Sequence, residues 1–278
     1  MSLNWFESVL YGLFSGLTDI LPVSAQAQKT LMLKFFGIKG NMELMDLLVH
    51  ASVVMALYVN CRSNLTKMIR AKALSRIPPK KRKRPLDVRS MMDLSMLKTI
   101  LITAFLGLLC YRKVAPIRSN LVVTAAFLLI NGLILYIPQY LPGSNKDSRT
   151  LSRVEGLLMG LGGAVSVLPG ISAVGATTSI GSVCGVERTY CLNMALMMNL
   201  FMNVGFVVFD VMALLNKGFG SLSVMIILRY LMTAVIAYVS TGIGIRVMRR
   251  FADNDGYGIF AFYSIGLALF TFILNLMA

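Results

Sequence analysis

Two apolar stretches of this chain are each interrupted by a proline that a serine closely follows: Gly16-Leu17-Thr18-Asp19-Ile20-Leu21-Pro22-Val23-Ser24 and Val165-Ser166-Val167-Leu168-Pro169-Gly170-Ile171-Ser172. Each stands near the start of one half of the chain. Irregular backbone inside a bilayer is tolerated only where it lines a cavity or is buried in protein. A matched pair of interrupted apolar segments indicates a central binding site in a membrane protein built from inverted repeats. We therefore expect a duplicated membrane protein whose site lies where the two interruptions meet.

The composition favours the same class. The chain of 278 residues is 56% hydrophobic and only 14% charged, whereas soluble domains carry roughly 25% charged residues. The start of the chain lacks the charged region of a cleaved signal, so the first apolar segment is expected to be retained. The four cysteines form no CxxC pair and are interpreted as small apolar packing residues.

The net charge of +15 is concentrated in the segment 61–93, whose core reads Pro78-Pro79-Lys80-Lys81-Arg82-Lys83-Arg84-Pro85. A nucleic-acid patch is one interpretation of this segment. A cytoplasmic loop that follows the positive-inside rule is the simpler one, and it predicts no nucleic-acid partner. A second basic cluster at 246–250 should lie on the same side of the membrane.

The pattern of apolar segments predicts an all-α integral membrane protein with inverted-topology repeats. We expect about eight spanning helices plus two short re-entrant segments at Val23–Phe36 and Gly170–Gly185, which are too polar to face lipid alone. The repeat halves are predicted at approximately 1–137 and 151–278, in a single membrane domain 1–278. The expected spans are Leu3–Leu21, Leu44–Val59, Leu94–Tyr111, Asn120–Ile137, Leu151–Leu168, Asn193–Leu215, Leu222–Ile245 and Gly256–Leu276.

These motifs resemble those of the bacterial undecaprenyl-diphosphate phosphatases, which recycle the lipid carrier of peptidoglycan synthesis and are linked to bacitracin resistance. The family's first motif, E-G-L-T-E-F-L-P-(I/V)-S-S-T-G-H, is similar to residues 15–28, and its second, P-G-x-S-R-S-G-A-T, is similar to residues 169–177. The stretch His50-Ala51-Ser52-Val53-Val54-Met55-Ala56 resembles the family's H-x-G-T-x-x-A. The resemblance runs over essentially the whole chain.

The departures from the family pattern fall on its reactive residues. The first carboxylate aligns with Ser15 and the second is kept as Asp19; the motif's Ser, His and Arg align with Ala25, Gln28 and Ala173. A Tyr-Arg pair near the family's C-terminus aligns with Tyr263-Ser264. Phosphoryl transfer needs a positioned base or nucleophile and cationic stabilisation of the transferring group. The resemblance therefore implies a phosphatase family member in which the usual hydrolysis is weakly supported.

Three functions follow from the resemblance and its departures. The first is a protein that binds or translocates a polyprenyl phosphate or diphosphate without hydrolysing it. The second is an active undecaprenyl-diphosphatase with a rearranged site, and the third is a scaffold subunit of an envelope-lipid complex. Whether the chain is an enzyme is left open by the residues.

The candidate site residues are taken from the two motifs and from the polar positions near them. The catalytic candidates are Asp19, Ser24 and Ser172. The candidates for binding phosphate or substrate are Ser15, Thr18, Gln26, Gln28, His50, Gly170, Gly175 and Thr177. No metal ligands are predicted, no cofactor is certain, and a divalent cation such as Mg²⁺ or Ca²⁺ belongs only to the hydrolytic alternative.

Several polar residues keep two interpretations each. Asp19 is either a coupled carboxylate in the cavity or a local cap before Pro22. His50 is either a buried structural residue or a proton relay or phosphate contact. Asp210 lies mid-span and is a second candidate for a coupling acid, and Asn199 and Asn203 either line the cavity or join helices by hydrogen bonds.

The expected location is the bacterial inner (plasma) membrane, with several passes. The basic segment 61–93 should be cytoplasmic and the site should open to the outer side. The expected partners are the membrane and a polyprenyl phosphate lipid, and a homodimer is left open.

Overall fold

A computed structural model describes residues 3–38, 42–141, 145–218, 223–253 and 257–276. The helices in these ranges are α1 (Trp5–Ile20), α2 (Ala25–Phe35), α3 (Glu43–Ser75), α4 (Val88–Val114), α5 (Leu121–Tyr136), α6 (Arg153–Val165), α7 (Ala173–Val183), α8 (Arg188–Lys217), α9 (Val224–Asp253) and α10 (Gly258–Leu276). No β-strand occurs in the described ranges, so the prediction of an all-α integral membrane protein is confirmed.

Among the described residues, six helices are long and apolar enough to cross a membrane, namely α3, α4, α5, α8, α9 and α10. The expected number was about eight. The difference lies in α1 and α6, which have 16 and 13 residues and so rise by only about 24 and 20 Å at ~1.5 Å per residue. Each is followed across its interruption by an 11-residue helix, α2 or α7. The short helices thus form two pairs of half-length elements.

The corresponding helices of the two pairs begin in the same way. Asn4 and Glu7 form a capping box at the start of α1, and Ser152 and Glu155 form one at the start of α6. Each box satisfies free backbone N–H groups of the first turn. Serine caps then start both α2 and α7.

The basic segment 61–93 is mostly helical instead of a loop. α3 continues to Ser75 and α4 begins at Val88, which leaves the residues between them for the connection, with a short 3₁₀ turn at Pro79–Lys81. The Lys, Arg, Leu, Met and Ala residues of this part favour helix, and the proline pair stops it. The segments predicted to begin at Leu222 and Gly256 start outside the described residues.

The main helix contacts join the first half of the chain to the second in a matching pattern. α1 packs on α9 and α6 packs on α4, while α3 packs on α8 and α5 on α10. In the α1–α9 contact, a Cβ on Gly16 would overlap the backbone of Ala237, so glycine permits the close approach. The hydroxyl of Thr241 donates to the Gly16 carbonyl at 3.2 Å. Small residues and hydroxyls of this kind are what join helices in lipid. The division into two repeat halves stays a prediction, which these matching contacts support.

Candidate functional site

The two interruptions, here the first break (residues 21–24) and the second break (residues 166–172), meet and are joined through their serines. The hydroxyl of Ser24 caps α2 by accepting from the Ala27 N–H at 3.3 Å, and it also accepts from the Gly170 N–H at 3.0 Å. The hydroxyl of Ser172 caps α7 by accepting from the Gly175 N–H at 3.2 Å, and it donates to the Leu21 carbonyl at 3.2 Å. Each serine therefore caps its own helix and holds the opposite break.

The contact between the two breaks is called the crossing below. A buried asparagine of α5 completes it. Asn131 is fully buried; its Oδ1 accepts from the Ser172 N–H at 3.0 Å, and its Nδ2 donates to the Pro22 carbonyl at 3.2 Å and to the Ser264 hydroxyl at 3.0 Å. These bonds satisfy backbone groups that no water could reach in a bilayer interior. The sequence interpretation missed Asn131; the available signal was an amide in the middle of an apolar helix.

Two glycines of the second motif allow the two breaks and α5 to approach closely, because they have no side chain. Gly170 has φ = +114°, and a Cβ there would lie 2.6 Å from the Leu128 backbone nitrogen. A Cβ on Gly175 would lie 2.8 Å from the Pro22 Cβ. Both positions are therefore required for packing, and their role in binding substrate stays a prediction.

A narrow cleft lies beside the crossing, bordered by α1, α3, α4 and α8. Its volume is about 60 Å³, room for a few water molecules. The first-turn residues Ala25 and Gln26 of α2 and Ala173 of α7 line it. Free N–H groups at helix N-termini attract anions. Two helix N-termini therefore converge on one space, as the paired motifs predict.

The carboxylate of Asp19 projects into the cleft and is held by amides. Its Oδ2 accepts from Asn199 Nδ2 at 2.8 Å and from Asn203 Nδ2 at 3.1 Å. Within the part of the chain that the structure describes, no cationic side chain forms an ion pair with Asp19. The two asparagines of α8 thus fix the orientation of the carboxylate and leave its charge uncompensated by a cation.

His50 lies in the same cleft and pairs with the second intramembrane acid. Its Nδ1 lies 2.6 Å from Asp210 Oδ2, and its ring packs against Phe206 with centroids 5.6 Å apart. Asn199, Asn203, Phe206 and Asp210 occupy one face of α8, at spacings of four, three and four residues. Of these residues, Asn199 and Phe206 line the cleft, while Asn203 and Asp210 hold the side chains of Asp19 and His50.

A second pocket adjoins the cleft and shares Asp19, Ala25, Gln26 and His50 with it. Lys29 lies there in an ion pair with Asp46, and Asp46 Oδ1 accepts from the Tyr11 hydroxyl at 3.1 Å. Ser15 also lines this pocket. The ion pair places a cation next to the cleft on the α2 side.

Among the residues that the structure describes, Arg118 is the Lys or Arg side chain that lines the cleft itself, and the sequence interpretation missed it. Its Nη2 donates to the Tyr111 carbonyl at 2.6 Å, and its guanidinium carbon lies 3.4 Å from the centroid of the Tyr111 ring. The residue follows α4 in a connection, where the sequence offers no periodicity to place it. Arg118 and Ala173 line the same cleft, so a guanidinium is present although the motif position holds alanine.

The remaining predicted residues divide into those that line the cleft and those that do not. Thr18 and Ser172 line it, although the Thr18 hydroxyl donates to the Phe14 carbonyl at 2.7 Å. Gln28 is buried and its Nε2 donates to the Tyr263 hydroxyl at 2.6 Å. Thr177 is buried against Met198. Neither Gln28 nor Thr177 lines the cleft or the adjoining pocket.

Metal-ligating residues are not clustered in the described ranges, where no three His, Cys, Asp or Glu residues lie close enough to hold a metal ion. The cleft instead offers the Arg118 guanidinium and backbone N–H groups as donors, beside the amide-held Asp19 carboxylate and His50, and it is the donors that would bind a ligand. This set of groups suits an anion with several oxygens.

Comparison with known proteins identifies the family. The family model described as bacitracin resistance protein BacA matches residues 8–270. A protein of Thermosipho melanesiensis named undecaprenyl-diphosphatase is 24% identical over 267 residues, which cover 96% of this chain and 98% of that protein. A protein of Methanobrevibacter smithii with the same name is 25% identical over 271 residues, covering 95% and 96%. The chain therefore belongs to the bacitracin resistance protein BacA family.

Proposed function

We propose that this protein binds the phosphate head of a polyprenyl phosphate or diphosphate in the cleft and translocates the lipid without hydrolysing it. The lipid class comes from the family, since the relatives in Thermosipho and Methanobrevibacter are named undecaprenyl-diphosphatase. The observation that carries the proposal is the convergence of two helix N-termini and Arg118 on a cleft in which alanine stands at two reactive motif positions, Ala25 and Ala173, and Asp19 alone is kept.

The residues at four positions support the absence of hydrolysis. Ala25 and Ala173 offer no nucleophile and no cation, and Gln28 faces Tyr263. The hydroxyl of Ser24 already accepts two backbone N–H groups and is fully buried. A nucleophile must be activated by a base within hydrogen-bond reach, and among the described residues no carboxylate or imidazole bonds to this hydroxyl.

The cations and backbone N–H groups in and beside the cleft support phosphate binding. A guanidinium recognises phosphate with two parallel hydrogen bonds, and the stacking of Arg118 on Tyr111 orients its fork before a ligand arrives. The first-turn N–H groups of α2 and α7 add donors without adding charge. Lys29 contributes a second cation from the adjoining pocket, where Asp46 holds it.

The arrangement of the helices supports translocation. We infer that residues 1–137 and 151–278 are inverted repeats, because the α1–α9 and α6–α4 contacts correspond to one another and the α3–α8 and α5–α10 contacts each pair equivalent helices of the two halves. Alternating access in such proteins moves one repeat against the other around a site with broken helices. By the positive-inside rule we place the basic segment 61–93 on the cytoplasmic side of the bacterial inner membrane, with the cleft towards the outer side.

A hydrolytic site is the second candidate, and the His50–Asp210 pair favours it. A histidine oriented by a carboxylate at 2.6 Å is an arrangement that can act as a general base. It stands in the same cleft as Asp19 and Arg118. In this alternative a divalent cation would have to be supplied with the substrate.

The test of binding uses farnesyl diphosphate, a short polyprenyl diphosphate, with the purified protein. Arg118→Gln should weaken binding by about tenfold or more, because a charge-assisted contact is lost. Arg112→Gln is the matched control, since Arg112 lies on the neighbouring turn of α4 against Phe209 and does not line the cleft. Equal affinities of both variants and the unmodified protein would contradict the proposal.

A further inference from the structure

A second and larger cavity lies towards the C-terminal end of α3 and at the N-terminal ends of α4 and α8, beside the basic connection. Its volume is about 300 Å³, against about 60 Å³ for the cleft. Its wall combines three methionines with polar side chains from all three helices. The methionines are Met68, Met194 and Met197, and the polar residues include Asn64, Lys67, Arg89 and Asn193.

The acids of this cavity are already engaged by neighbouring groups. Asp87 caps α4: its Oδ1 accepts from the Ser90 N–H at 3.0 Å and its Oδ2 from the Ser90 hydroxyl at 2.7 Å. These bonds hold the pKa of Asp87 below its ordinary value. Asp93 Oδ1 accepts from the Tyr190 hydroxyl at 3.3 Å. The carboxylates therefore have local structural partners.

The cations are the less engaged groups. Lys67 forms no ion pair with any residue that the structure describes, and Arg89 is loosely held, with its Nη2 3.8 Å from Asp147 Oδ2 and its side chain 55% exposed. These weakly paired cations line the cavity together with methionines, a combination that fits an anionic head joined to a hydrocarbon chain. Methionine adds adaptable packing for such a chain.

Helix α8 lines both this cavity and the cleft. Met197 lines the cavity and Asn199 lines the cleft, so the nearest lining positions differ by two residues, or about 3 Å of helix rise. Two residues turn a helix by about 200°, so the two spaces lie on opposite faces of α8. The cavity therefore contacts α8 from Tyr190 to Met197 on one face, and the cleft contacts it at Asn199 and Phe206 on the other.

We propose that this cavity is a second phosphate-binding site, in which Lys67 and Arg89 hold the phosphate of a polyprenyl phosphate and Met68, Met194 and Met197 contact its first isoprene units. The proposal rests on the proposed function, because it supplies the site that a translocated lipid occupies on the basic side. It assigns the cleft and the cavity to two successive positions of the lipid, on the two faces of α8.

The test counts binding sites on the purified full-length protein with farnesyl phosphate as the probe. The unmodified protein should bind two molecules. The double variant Lys67→Ala/Arg89→Ala should lose one of them, or bind it about tenfold more weakly, while Arg118→Gln affects the other. Lys80→Ala/Lys81→Ala removes the same charge from the exposed 3₁₀ turn and should bind like the unmodified protein. Thermal midpoints of all variants verify that they remain folded.

Two further probes identify the source of the phosphate. Farnesol and inorganic phosphate should each fail to displace farnesyl phosphate from the cavity at concentrations where unlabelled farnesyl phosphate does. Displacement by inorganic phosphate alone would overturn the assignment to a lipid. Equal binding by Lys67→Ala/Arg89→Ala and its charge-matched control would overturn the site itself. Loss at the cavity with no effect of Arg118→Gln would contradict the cleft and leave the cavity standing.

Discussion

The hydroxyl of Ser24 accepts a hydrogen bond at 3.0 Å from the backbone N–H of Gly170, across 146 positions of sequence. Ser172 makes the reciprocal contact by donating to the Leu21 carbonyl. Backbone groups released by the two breaks are therefore satisfied by the opposite break. A crossing built this way stays rigid in lipid, because separating it would leave several groups without partners.

Asn131 should be the most sensitive polar residue of the crossing. Asn131→Ala removes bonds to Ser172, Pro22 and Ser264 and leaves buried groups unpaired, which costs roughly 2–4 kcal/mol. Asn60→Ala is the matched control, because the Asn60 amide bonds only the Ala56 carbonyl of its own helix. Thermal unfolding in detergent should show a clear drop for Asn131→Ala and little change for the control. Equal midpoints would refute the role assigned to Asn131.

Gly170→Ala should prevent normal folding. The residue has φ = +114°, and the added Cβ would collide with the α5 backbone at Leu128. Gly242→Ala is the control, since nothing lies within 4 Å of a Cβ there and alanine in a helix is favoured by up to ~1 kcal/mol. The amount of monodisperse protein recovered from membranes measures both. Normal recovery of Gly170→Ala would show that the second break differs from the described geometry.

His50 and Asp210 should be energetically coupled. Each single change, His50→Asn or Asp210→Asn, leaves the other partner buried without its bond. The double variant should therefore lose less stability than the sum of the single losses, by about 1–3 kcal/mol. Thermal midpoints of the four proteins in one detergent provide the cycle. Strict additivity would mean that the 2.6 Å contact contributes nothing to stability.

Asp19→Asn should keep the fold and reduce transport. The substituted amide oxygen can still accept from Asn199 and Asn203, so the fold should be kept, while the negative charge of the cleft is lost. Transport of a fluorescent short polyprenyl phosphate across vesicles should fall by about tenfold or more if the charge takes part in translocation. Glu7→Gln provides a control at the exposed start of the same helix. Unchanged transport by Asp19→Asn would remove the carboxylate from the mechanism.

The sequence predicted the breaks better than their surroundings. Pro22 and Pro169 interrupt apolar segments, and this local signal indicated the paired short helices and the convergence of α2 and α7. The extents of α3 and α4 were underestimated, because helix continues through charged residues beyond the apolar stretch. Helix propensity, not apolarity, sets those ends.

Side-chain contacts between residues far apart in the sequence could not be predicted from the residues alone. Asp19, Asn199 and Asn203 were each suspected of lining the cavity, but their mutual hydrogen bonds depend on how α1 meets α8. His50 and Asp210 stand 160 positions apart, and their contact is a property of packing. Arg118 has no periodic context, so only the fold shows that a guanidinium reaches the cleft.

The central claim is that the cleft binds the lipid phosphate without hydrolysing it, and release of inorganic phosphate from undecaprenyl diphosphate tests it most directly. The purified protein is assayed with and without Mg²⁺ or Ca²⁺, beside the Thermosipho melanesiensis relative as a positive control and His50→Asn as a site control. The account predicts release by the relative and none above background by this protein. Release by this protein that is lost in His50→Asn would contradict the account and establish a hydrolytic site built on the His50–Asp210 pair.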